Sequence, residues 1–160
     1  MTIYEPQKRI SERALTVWKI SASLHSLLIW ILAGGLIAIT ILFDWPGWVI
    51  AASVAAAALY SFLFIFVMPA LRWKRWRYEV REQEIELQYG VFIIKRTLIP
   101  MIRVQHVDTQ QGPLLRKYRL STVTVSTAAT VHEIPALDME EAEALRTSIS
   151  RLARVADEDV

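Results

Sequence analysis

The sequence predicts a membrane hairpin of two transmembrane α-helices followed by a mainly-β barrel or curved sheet with one C-terminal amphipathic helix. Three observations carry this. Two apolar stretches, residues 24–43 and 48–68, are separated only by Asp44-Trp45-Pro46-Gly47. From Tyr78 onward, apolar and polar residues alternate over short runs. Finally, Ala142, Leu145, Ile149 and Leu152 recur at three- and four-residue spacing near the C-terminus.

Each apolar stretch has the roughly 20 residues a helix needs to cross a hydrocarbon core about 30 Å thick. Four linking residues cannot form a domain, so the chain turns back at once and both flanks lie on one side. The first stretch begins too far from the N-terminus, and is too long, for the apolar region of a signal peptide. Lys8, Arg9, Arg13 and Lys19 precede the first span, and Arg72, Lys74, Arg75, Arg77 and Arg81 follow the second, whereas the turn holds only Asp44. The positive-inside rule then predicts a multi-pass plasma-membrane protein with both termini cytoplasmic.

The spans themselves hold no Asp, Glu, Lys or Arg, which argues against an ion path. Gly34 and Gly35 lie at the same depth as Ala56 and Ala57, counted from the turn. Small residues at matching depth predict close helix packing there. Pro69 is expected to release or kink the second helix near the interface. Trp45 and Trp48 are expected at the outer interface, and Trp18, Trp73, Trp76 and Tyr78 at the inner one. Arg72, Lys74, Arg75 and Arg77 form a basic, aromatic collar over residues 72–77, suited to anionic lipid. In the cytoplasmic segment 1–23, Ser11 and Glu12 start a short helix, apolar enough to lie along the interface before the span begins.

Charge divides the chain. Residues 1–77 carry eight basic groups against three acidic, and the remainder ten against thirteen. An acidic C-terminal domain is a poor binder of nucleic acid, which requires surplus Lys and Arg. The absence of cysteine excludes a disulfide framework, a thiolate metal site and a Cys nucleophile.

The domain is expected over residues 78–155, with an acidic tail at 156–160. Strands are expected over 78–80 and 85–89 around the polar turn Arg81-Glu82-Gln83-Glu84, then over 91–99 and 102–109 with a break at Pro100. In the last of these, Ile102, Val104, His106 and Asp108 should share a face. Residues 114–120 read as a short strand or irregular segment, 121–128 as a β-branched strand, and 130–134 as a further one. Asp138 and Glu141 then form a capping box for the C-terminal helix.

At Trp76-Arg77-Tyr78, Gly90, the string from Leu98 to Val107 and Gln111-Gly112-Pro113-Leu114, the chain resembles the bacterial PH-like domain of the DUF304 (bPH2) type. A two-span hairpin ahead of one such domain is similar to the YdbS-like membrane proteins of Gram-positive bacteria. The most specific piece is Pro-x-x-Arg-hydrophobic-Gln-x-Val at 100–107. The pattern has glycine where this chain has Arg119 and Ala129. The resemblance implies a PH-like barrel closed by a helix, and assembly with larger membrane proteins carrying related domains. It implies no catalytic site.

No P-loop, dinucleotide fingerprint or Gly-x-Ser-x-Gly elbow occurs. Three scattered histidines, His106 and His132 among them, do not make a zinc site. The expected function is therefore a non-enzymatic interaction module at the membrane, without metal or cofactor. Its expected partners are the lipid bilayer, a membrane protein with related domains, and a second copy of the chain, in envelope maintenance or defence. The alternative is a sensor of anionic head groups. Its best patch is Arg116, Lys117 and Arg119, ahead of Lys95, Arg96 and Arg103.

Overall fold

The computed structural model describes residues 5–158; the acidic tail expected at 156–160 lies partly outside them. The chain divides into two compact units, one of residues 15–71 and the other built from the residues up to Ala14 together with those from Arg72 onward.

In the first unit, helix α1 (Arg13–Leu42) and helix α2 (Trp48–Phe62) are joined by the expected short turn, where Asp44 takes a positive φ of 51°. α1 is unbroken over 30 residues, so no separate interfacial helix precedes the span. A π-helical turn (Leu63–Val67) links α2 directly to α3 (Met68–Arg75). The Met68 N–H bonds the Leu63 carbonyl, five residues back. Pro69 has no N–H to offer the ladder, and the widened turn just before it accommodates that loss. The helix thus continues through Pro69 to Arg75 rather than ending there. Helices Arg13–Leu42 and Trp48–Arg75 are both long and apolar enough to cross a membrane.

The hairpin's packing face differs from the one expected. Gly34 and Gly35 are exposed, and a Cβ added to either would meet nothing within 4 Å. α1 instead buries Ser26, Ala33 and Thr40, a strict seven-residue spacing, while α2 buries Ala57 and leaves Ala56 exposed. A seven-residue repeat keeps one seam facing a partner helix. Ser26 Oγ and Ser61 Oγ lie 2.5 Å apart, and Trp30 Nε1 donates to Ser61 Oγ at 3.0 Å, tying the helices by side-chain hydrogen bonds.

The second unit holds two antiparallel sheets. The first has the order β1-β2-β3-β4, with β1 (Lys8–Arg9), β2 (Arg77–Val80), β3 (Glu84–Tyr89) and β4 (Lys95–Pro100). The second has the order β5-β6-β7, with β5 (Val104–Gln110), β6 (Leu120–Thr127) and β7 (Val131–Asp138). Helix α5 (Met139–Glu158) follows, burying Ala142, Leu145 and Ile149 as its spacing predicts. Tyr78, Ile85, Leu87, Ile99, Met101, Leu120, Val123, Val125, Ile134 and Leu137 fill the core. Two apolar helices, then sheets of four and three strands closed by a helix, are the predicted fold class.

Several local expectations give way. β1 was not foreseen: Lys8 and Arg9 pair with Tyr78 and Arg77. The strand expected over 91–99 starts only at Lys95, because Gly90 (φ 123°) opens a tight turn whose tip exposes Phe92 and Ile93. Residues 101–103 form a 3₁₀ turn, so the next strand begins at Val104. Pro113–Lys117 is a short helix, α4, with Pro113 in its first turn. Arg119 takes the left-handed conformation (φ 53°), which favours glycine, at one of the two positions where the resemblance leads one to expect it. The capping box does not form as drawn. Asp138 ends β7, and its carboxylate accepts from Ser11 and Arg13, while Glu141 Oε1 accepts from the Tyr78 hydroxyl at 2.7 Å.

Candidate functional site

Arg72, Lys74 and Arg75 lie in the last turn of α3 and are exposed. Arg77 is different. It sits in β2, half-buried, and forms an ion pair with Glu5 at 3.1 Å. Two aromatic residues expected at the interface are core residues instead: Tyr78 is fully buried, and Trp76 is buried and stacks on Tyr89 with ring centroids 6.0 Å apart. Trp73 is half-buried; its indole N–H donates to the Ser11 carbonyl at 3.1 Å, and the Arg9 guanidinium lies over its ring at 5.7 Å. A sequence reading assigns Trp beside Lys and Arg to the interface. Here β1 covers that side of β2 and uses the aromatic groups for packing.

The segment before α1 is fastened to the domain. The Ser11 N–H donates to the Ala136 carbonyl at 3.2 Å, and Ile10 and Ala14 are buried. Arg13 Nη2 meets Asp138 Oδ1 at 2.5 Å, and Arg13 Nη1 donates to the Tyr118 carbonyl at 2.9 Å. This last bond joins Arg13 to the candidate patch. Arg116 and Lys117 end α4, Arg119 follows, and all three are exposed. The backbone fixes their spacing: the Arg119 N–H bonds the Arg116 carbonyl at 3.2 Å, and the Met139 N–H bonds the Arg119 carbonyl at 3.2 Å. Arg116, Lys117 and Arg119 thus lie exposed in one turn, and Arg13, paired with Asp138, is bonded to the Tyr118 carbonyl in that turn, a connection no local sequence signal announces.

The other basic candidates are dispersed. Arg96 pairs with Glu86 at 2.8 Å. Arg103 is exposed in the 3₁₀ turn, and Lys95 is exposed at the start of β4. In the β2–β3 turn, Arg81 faces Glu84 at 2.7 Å, Glu86 at 3.0 Å and Glu79 at 3.5 Å. The Glu84 hydrogen bond is the largest cause holding the Arg81 pKa above its ordinary value. With its one arginine surrounded by carboxylates, this turn is ill suited to a phosphorylated head group.

A second surface runs along β5. This strand pairs with β6 on one side only, so its other edge has no strand partner among the described residues. The string at 100–107 that carries the family resemblance supplies the 3₁₀ turn and the first half of this edge. A β-bulge between Val104 and His106 shifts the alternation. Val104, Val107 and Thr109 are half-buried, whereas His106 and Asp108 point outward, so the single face expected for 102–108 does not exist. Beside the edge, Val104, Gln105 and His106 with Ala153, Arg154 and Asp157 of α5 line an open groove of about 780 Å³. No group of three or more metal-ligating side chains occurs among the described residues.

Comparison with known proteins agrees with this architecture. A family model described as "Bacterial PH domain" matches residues 24–153. The UPF0699 transmembrane protein YdbS of Bacillus subtilis (strain 168) is 49% identical over 156 residues, covering 98% of both chains. The UPF0699 transmembrane protein YdbT of the same organism is 27% identical over 93 residues, which span 54% of this chain but only 19% of that much longer relative. No solved structure matches the chain.

Proposed function

This chain belongs to the bacterial PH domain family, as a membrane protein of the UPF0699 group, and from that premise we propose that it is a non-enzymatic interaction module. It works as a subunit of a membrane complex whose other member is a larger protein carrying a related domain. The observation that carries this reading is the edge of β5 that has no strand partner among the described residues, bordered by the α5 groove. An unpaired edge offers backbone N–H and C=O groups in register for an incoming strand, and an adjoining groove takes alternate side chains. A long relative sharing part of this chain in one organism is a partner of the right kind. Pairing of β1 with β2, on either side of the two helices, supports both flanks lying on one side of the membrane, and the Lys and Arg of those flanks favour the cytoplasmic side.

The test is a substitution that spoils the edge and spares the sheet. Gln105 falls at the bulge, outside the register with β6, and lines the groove, so Gln105→Pro alters the edge where the β5–β6 ladder is already interrupted. The intact protein, extracted from native membranes in mild detergent, is expected to co-purify with one stoichiometric membrane partner. The Gln105→Pro protein is expected to lose it. Recovery of the unsubstituted chain alone overturns the proposal.

One observation favours a second reading, a sensor of anionic lipid. Arg13, the first residue of α1, is bonded to the Tyr118 carbonyl, so the Arg116, Lys117 and Arg119 patch sits where the chain enters its first membrane helix. Each basic residue near an anionic surface adds roughly 1 kcal/mol of attraction. Charge reversal of the three to Glu is expected to abolish any preference of the reconstituted protein for anionic lipid. An unchanged preference removes this reading.

A further inference from the structure

We propose that the β3–β4 tip, Val91-Phe92-Ile93-Ile94, inserts into the leaflet from which the protein's own helices emerge, as a third, monotopic attachment to the bilayer. Among the described residues, Phe92 and Ile93 are large apolar side chains at 87% and 76% exposure, with Ile94 at 45%. Loop tips in water are ordinarily polar, and an apolar tip on a domain attached to a membrane has an obvious apolar phase within reach.

Strand register decides which phase the tip meets. β2 begins two residues after α3 ends, with Trp76 between, and Arg77 opposes Gln88 and, on its other side, Arg9. The end of β3 therefore lies beside the start of β2, as the Trp76–Tyr89 stack also records. β1 runs toward the same end and passes through Ile10 and Ser11 into α1. Three chain segments thus leave the sheet at one end: the entry to the first membrane helix, the exit from the second, and the apolar tip. The β2–β3 turn, with its carboxylates, occupies the opposite end.

Charge and backbone geometry fit the same occupant. Lys95 follows the tip directly and is exposed, a cation behind apolar side chains as at a head-group boundary. The tip is also held in shape. Gly90 has φ 123°, and a Cβ there would stand 1.9 Å from the Ile93 carbonyl oxygen, so the turn is tight and presents its side chains outward.

The chain contains no cysteine, so a single one can be introduced at will. Phe92→Cys and, as the far-end control, Glu82→Cys are labelled with an environment-sensitive fluorophore. The full chain is reconstituted into phosphatidylcholine–phosphatidylglycerol vesicles, with and without nitroxide groups on the acyl chains. Insertion predicts a blue-shifted emission for the label at 92 and roughly two-fold quenching by the nitroxide lipids, with neither effect at 82. Two outcomes overturn the proposal. One is a label at 92 that emits as in water, like the control. The other is a blue shift without lipid quenching, which would assign the tip to a contact between two copies of the chain.

Discussion

The hydrogen bond between Tyr78 and Glu141 joins the sheet to the closing helix, and its loss should be measurable in isolation. Tyr78 is fully buried in β2, and its hydroxyl donates to Glu141 Oε1 at 2.7 Å. Tyr78→Phe keeps the ring and deletes only the donor. A hydrogen bond to a charged group contributes roughly 1.5–3 kcal/mol. Glu141 is half-exposed, so water replaces part of the bond and the lower end applies, about 1.5 kcal/mol. For a unit of about a hundred residues this lowers the melting temperature by about 6–12 °C. The assay is a thermal melt of the full chain in mild detergent, followed by tryptophan fluorescence, for wild type, Tyr78→Phe, Glu141→Gln and the double variant. A coupling energy below about 0.3 kcal/mol in that cycle would refute the reasoning.

The same bond carries a pH signature. Burial first, then the hydrogen bond and charge of Glu141, hold the Tyr78 pKa well above its ordinary value of 10.0. The folded protein keeps the phenolic proton where the unfolded chain gives it up. This group's contribution is therefore complete below about pH 10 and declines above it, by about 1.4 kcal/mol per pH unit. Tyr78→Phe removes that slope, so the stability gap between the two proteins should narrow as pH rises past 10. A gap that stays constant into the alkaline range contradicts the assignment.

Two further predictions concern glycines. Because Gly34 and Gly35 face open space, replacing either with Ala should leave the hairpin's resistance to dodecyl sulfate unchanged or raised by up to about 1 kcal/mol, whereas Ala57→Leu should lower it by about 1–3 kcal/mol; equal losses at 35 and 57 would restore the glycines to the seam. Gly90→Ala, which drives a Cβ toward the Ile93 carbonyl at a positive φ, should cost about 2 kcal/mol or more in a thermal melt, and an unaltered melt would mean the turn is not held as described.

Elements with a strong local signal were legible in the sequence. The spans follow from twenty-residue apolarity, and α5 follows from the spacing of Ala142, Leu145 and Ile149. What was hidden depended on partners distant in sequence or on a break in a simple rule. A two-residue strand has no periodicity, so Lys8–Arg9 revealed itself only by pairing with Arg77 and Tyr78. The region 91–99 reads as a strand because apolarity is taken to mean burial, and at Phe92 and Ile93 that inference fails. The buried side of α1 was obscured by a helix that is apolar all round. Its signal was the small and hydroxylated residues Ser26, Ala33 and Thr40 seven apart, not the more conspicuous glycine pair. The patch at 116, 117 and 119 was visible as composition. Its neighbour Arg13 was not, because the connection is a backbone carbonyl.

The pairing of β1 with β2 has a consequence for how the protein is made. β1 is synthesised first, yet its partner emerges only after both membrane helices. The β1–β2 pair therefore cannot form until both membrane helices have been made. A chain started at residue 24 would contain both spans and every strand but one. It would still leave the outer edge of β2 bare at Arg77 and Tyr78.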